Sequence, residues 1–124
     1  MVSINISLEN ISEIKQLPLH DAKLLSIICD YRNYAVHIHL MLDSPRISNV
    51  KAQISLFGVK LLNVPIDEPW GAGIYINEIS YYIEEIQTQY SLFDLRILLN
   101  SGDEILVTAN NLYYTEESNL EDKS

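Results

Sequence analysis

Tyr34-Ala35-Val36-His37-Ile38-His39-Leu40-Met41-Leu42 is the stretch that decides the fold. Tyr34, Val36, Ile38, Leu40 and Leu42 alternate with Ala35, His37, His39 and Met41. That period of two gives a strand with one apolar face. Upstream, Asp30-Tyr31-Arg32-Asn33 reads as a turn, and Ala22–Asp30 as a strand apolar on both faces, as in the middle of a sheet. The short connection makes the two strands antiparallel.

The same reading extends outward. Asp43-Ser44-Pro45-Arg46 is a turn. Val50, Ala52, Ile54 and Leu56 mark the next strand, Gly58 a bulge or bend, and 59–64 either a continuation of that strand or the start of another. Residues 65–73 form a loop that holds the only tryptophan, Trp70. A strand is expected over 74–80, with an irregular or helical stretch to residue 90. Phe93, Leu95, Ile97 and Leu99 run into Asn100-Ser101-Gly102-Asp103, a tight turn, and Ile105, Val107 and Ala109 return as the second arm of a hairpin. Leu112–Tyr114 adds a short edge strand. At the start, Val2, Ile4 and Ile6 alternate, and Ser7 caps a short helix carrying Leu8, Ile11 and Ile14 on one face, ended by Pro18. Seventeen Ile and six Val among 124 residues favour pleated structure. The expected fold is mainly β: an antiparallel β-sandwich or partly open barrel with one or two short helices. Residues 1–115 form a single globular domain, and 116–124 an acidic, disordered tail.

Charge divides the chain. Residues 1–60 hold six Lys/Arg and five Asp/Glu, whereas 61–124 hold two and twelve, for a total of −9. Without a Lys/Arg cluster, binding through nucleic-acid phosphates or to an anionic membrane is not expected. The acidic half suits a basic protein partner, or simply keeps the chain soluble. Apolar runs are far shorter than the ~20 residues a membrane helix needs, and no export signal is visible, so a cytoplasmic location is expected. The single cysteine, Cys29, lies in an apolar run and is expected to be a buried, inert thiol.

Three islands together resemble small bacterial proteins of unassigned function: Leu17-Pro18-Leu19-His20-Asp21-Ala22, Pro69-Trp70-Gly71, and Asn100-Ser101-Gly102-Asp103 followed by Ile105 and Ala109 in the late hairpin. The His-Asp end is also similar to some immunity proteins of polymorphic toxin systems. The resemblance carries no catalytic residues.

Candidate sites follow. His37 and His39 share one face of a strand, so a third ligand such as His20 or Asp21 would complete a metal site; otherwise both line a sheet face. Adjacent residues on an extended chain point apart, so His20 and Asp21 serve better as backbone partners at a helix-to-strand junction than as a catalytic pair. Glu84-Glu85 and Asp103-Glu104 read as solvated pairs. Trp70 is a core plug or an exposed recognition aromatic. Nucleophile elbows and phosphate loops are missing from the sequence, so neither catalysis nor a cofactor is expected. The leading expectation is a non-catalytic module holding a basic partner through Trp70, Asp67, Glu68 and Glu78, sharpest as an immunity-type inhibitor. The alternatives are a metal- or small-ligand protein using His37 and His39, and a homo-oligomer formed through an exposed sheet edge.

Overall fold

The computed structural model describes residues 2–43, 48–83 and 91–117. Within them the chain forms two packed antiparallel sheets. The strands are β1 (Val2–Ile6), β2 (Lys23–Asp30), β3 (Ala35–Asp43), β4 (Ser48–Phe57), β5 (Leu61–Asn63), β6 (Ile76–Tyr82), β7 (Phe93–Leu99), β8 (Glu104–Ala109) and β9 (Asn111–Glu116). One sheet has the order β1-β9-β4-β3-β2 and the other β5-β8-β7-β6. This is a mainly β sandwich without a closed barrel.

Period-two burial fixes the register. Val36, Ile38, Leu40 and Leu42 on β3 face inward, opposite Leu56, Ile54, Ala52 and Val50 of β4. From the second sheet, Phe93, Leu95, Ile97 and Leu99 meet them, with Ile105, Val107 and Ala109 beside. Between β1 and β2 the chain makes tight 3₁₀ turns over Leu8–Gln16, not a regular helix, broken at Asn10. Ser7 opens the segment: its N–H donates to Asn10 Oδ1 at 2.8 Å, while Ile11 and Ile14 plug one end of the core.

Several expectations need correction. The strand at the C-terminal end is not an edge. β9 lies between β1 and β4, with Leu112 and Tyr114 fully buried, because the chain crosses from one sheet to the other at Asn110 and enters the first sheet's interior. β2, read as a central strand, is an edge strand. Consequently Cys29 is exposed, not buried: among the described residues no neighbouring strand covers the far side of β2 there. Tyr34 belongs to the turn before β3, with φ +54, and is exposed. The strand expected over 74–80 begins at Ile76 and runs to Tyr82, and β9 extends through Glu116, into the segment expected to be a tail. The Ser44-Pro45-Arg46 part of the expected turn, most of the stretch leading to residue 90 with Glu84 and Glu85, and residues 118–124 lie outside the described residues.

Candidate functional site

The β7–β8 hairpin turn and the 64–73 loop make one unit, held by an acid. Asp103 is almost wholly buried, yet its carboxylate is well satisfied. Its Oδ1 accepts from the Asp67 N–H at 2.9 Å, and its Oδ2 from the Glu68 N–H at 3.0 Å and the Ser101 hydroxyl at 2.9 Å. The Asp67 N–H above all, with the Glu68 N–H and the Ser101 hydroxyl, holds the Asp103 carboxyl below the usual carboxylate range, against the opposing pull of burial. Reading Asp103 with Glu104 as a solvated pair is therefore wrong for Asp103. The sequence signal was available in Ser101-Gly102-Asp103, where a hydroxyl two residues before an acid favours a local turn. What it could not show is that the other two donors come from a loop some 35 residues away.

This anchor presents Trp70. The Trp70 N–H donates to the Ser101 carbonyl at 2.9 Å, and the Gly71 N–H to the Glu68 carbonyl at 3.0 Å. The indole lies on the backbone of Gly102: a Cβ there would stand 2.8 Å from the ring. Gly102 also has φ +92, so the turn needs glycine twice over. Although held along one side, Trp70 is 68% exposed, as an external anchor and not as a core plug. Glu68 takes a left-handed backbone, φ +50, unusual without glycine. Asp67 and Glu68, three and two residues before Trp70, are both exposed.

Glu78 sits on β6, apart from that loop but facing outward from the same sheet. The register sets Glu78 opposite Leu98, and Leu98 opposite Glu104, one rank from the hairpin turn. The outer face also holds Asp94, which accepts from Thr108 at 2.7 Å, and Arg96, 3.9 Å from Glu104 and over the Tyr82 ring. One guanidinium thus stands among several acids.

The His-Asp island joins the same unit from behind. The Asp21 N–H donates to the Ile76 carbonyl, and the Ile76 N–H to that of Ala22, both at 2.8 Å. His20 Nδ1 is 3.0 Å from the Asn77 carbonyl, which can only accept, so Nδ1 carries a proton. Contrary to the extended-chain argument, His20 and Asp21 do meet, Nε2 to Oδ2 at 3.6 Å, because Asp21 has φ +67. Both are largely exposed. Further along, the Tyr75 N–H donates to Asn100 Oδ1 and the Asn100 N–H to the Tyr75 carbonyl. The three islands are therefore contiguous through β6 and the hairpin turn.

His37 and His39 face outward on the other sheet. Gln53 donates to the Ser55 hydroxyl at 2.8 Å, and that hydroxyl is hydrogen-bonded to His37 Nδ1 at 2.8 Å. His39 lines a shallow groove of about 400 Å³ with Lys51, Gln53 and Glu116. His20 and Asp21 sit against β6, and among the described residues no three His, Cys, Asp or Glu side chains converge as metal ligands. Glu116 also accepts from the Tyr114 hydroxyl at 2.7 Å. Burial first, and then that carboxylate, push the phenol far above its ordinary pKa.

No family model matches the chain, and no curated protein matches it. Its fold is similar to the crystal structure of an uncharacterized protein from Neisseria gonorrhoeae, with a TM-score of 0.54 and 14% identity over 92% of this chain and 97% of that one. At that identity the likeness shows the fold alone. No helix among the described residues is long and apolar enough to cross a membrane.

Proposed function

We propose that this chain is a non-catalytic binding module of the bacterial cytoplasm that holds a basic protein, with Trp70 as the central contact and Asp67, Glu68 and Glu78 as its acidic surround. The observation that carries the reading is the exposed Trp70 on a loop already fixed by Asp103. A large aromatic that is ordered before binding loses little entropy when a partner covers it. The acids beside it steer a cationic surface toward it and set the orientation. The second half of the chain, which supplies all four residues, carries a net charge of −10. An immunity-type inhibitor of a basic toxin is the most specific form of this reading, supported by the similarity of the His-Asp end to such proteins.

Trp70 is the only tryptophan, so its emission reports directly on the site. Titration with a short poly-lysine, as a model of a basic surface, should shift that emission, and the shift should weaken as salt rises. Reversing two charges with Glu68→Lys and Glu78→Lys should weaken binding by about tenfold or more at low salt. Affinity and salt dependence left unchanged by the double reversal would overturn the proposal.

A further inference from the structure

The open side of the sandwich lies between β2 of one sheet and β5 of the other. Beyond Leu24, whose N–H is taken by the Ile74 carbonyl, the far edge of β2 has no strand partner among the described residues. Leu25-Ser26-Ile27-Ile28-Cys29 carries none of the lysines or prolines that usually guard such an edge. Leu25 and Ile28 are about half exposed, and Tyr31, just past the strand, is 86% exposed. The side is also unlike the rest of the chain in charge. Segments 23–34 and 59–66 hold Lys23, Arg32 and Lys60 against Asp30 alone, in a protein of net charge −9. It is a surface where two copies of an acidic chain can meet without strong repulsion.

From this edge we infer that the protein forms a two-fold dimer, in which β2 of one copy pairs antiparallel with β2 of the other and the two five-stranded sheets become continuous. A dyad normal to the sheet keeps each face on its own side, so paired positions must point the same way. With Ile28 facing its own counterpart on the dyad, Ile27 meets Cys29 and Ser26 meets Asp30. The inner face then joins apolar to apolar, and on the outer face a hydroxyl meets a carboxylate. The bulge at Leu25 turns Lys23 to the same outer face as Ser26. Each Lys23 therefore lies diagonally across from the other copy's Asp30, within reach of its long stem. Each Tyr31 comes level with the other copy's Leu25, at a groove of about 350 Å³ lined by Leu25, Ile66 and Ile74, with Glu68 also on its wall. The register also stops short of the Lys23–Tyr75 bridge, which already occupies the first part of this edge. Through Glu68 the two surfaces adjoin at the 64–73 loop, but pairing through the β2 main chain does not depend on the binding role proposed for Trp70.

Sedimentation velocity over a wide concentration range tests it. The wild type should show a concentration-dependent dimer. Ile28→Lys puts two ammonium groups together on the dyad and should weaken association by at least about tenfold, with circular dichroism unchanged. Because one variant could fail for other reasons, a charge swap supplies the second arm. Lys23→Glu and Asp30→Lys should each weaken the dimer, and the two together should restore it. A wild type that stays monomeric at every concentration, as a protein whose edge is completed by a different partner would, overturns the inference. So does a dimer that Ile28→Lys leaves intact, or one that the swap fails to restore.

Discussion

The pinned loop at Trp70 and the open edge at β2 both expose large apolar side chains, but for different reasons. Trp70 is exposed on a loop whose Asp67 and Glu68 N–H groups are satisfied by a buried carboxylate, and whose own acids, Asp67 and Glu68, are exposed. Leu25 and Ile28 are exposed because a strand ends its sheet with backbone groups unpaired, on a neutral to slightly positive side. The first region recognises through a preordered aromatic and a field. The second recognises through main-chain pairing and shape. Charge is what keeps them apart: a basic partner is drawn to one, while a second acidic copy is tolerated only at the other.

The largest effect should strike both regions together. Ile97→Ala removes a fully buried side chain of β7, at the centre of the shared core, and should cost about 2–5 kcal/mol in urea unfolding. Both binding and dimerisation should then fail at the same denaturant concentration, which makes this the control for the variants that separate them. Trp70→Ala should weaken binding of a basic partner by about 2 kcal/mol or more and leave the dimer intact. An equal loss in both assays would show that the surfaces are not independent.

Acid sharpens the contrast further. The folded pKa of Asp103 lies below its unfolded value, so the stability it contributes is present above the ordinary carboxylate range and is lost as pH falls through the folded pKa. The loss should begin below about pH 4. Asp103→Asn should flatten that acid limb of a thermal-melt profile and broaden the Trp70 emission. At the other region, Asp30 is held low first by the Asn33 side chain, and its titration by NMR should likewise fall below the usual carboxylate range. The smallest effect concerns Glu68. Its left-handed backbone is easier for glycine, so Glu68→Gly should leave stability unchanged or raise it by up to about 1 kcal/mol while reducing affinity for a cationic partner.

Much of this architecture is legible in the residues alone. Alternation at Val36–Leu42 and Phe93–Leu99 tells which side chains point inward, and it predicts the sandwich. Alternation does not tell which strand lies beside which. That is why β9 reads as an edge and β2 as a centre, when the reverse holds. A strand apolar on both faces is compatible with two neighbours, and β2 has only one among the described residues. The site divides in the same way. Trp70, Asp67 and Glu68 stand out as an aromatic and acids in a turn-rich loop. Asp103 does not, because an acid is buried only where donors converge on it, and two of those donors come from the far side of the sequence. His20 and Asp21 meet where an extended chain would send them apart, since one left-handed residue, Asp21, reverses that geometry.

The central claim is that one sandwich carries two surfaces of opposite electrostatic character. Sedimentation of the wild type, alone and with poly-lysine, at about 0.05 M and about 0.5 M salt tests it most directly. The cationic complex should dissolve at the higher salt while the dimer persists. Complex and dimer weakening together, or the complex surviving where the dimer does not, would contradict it.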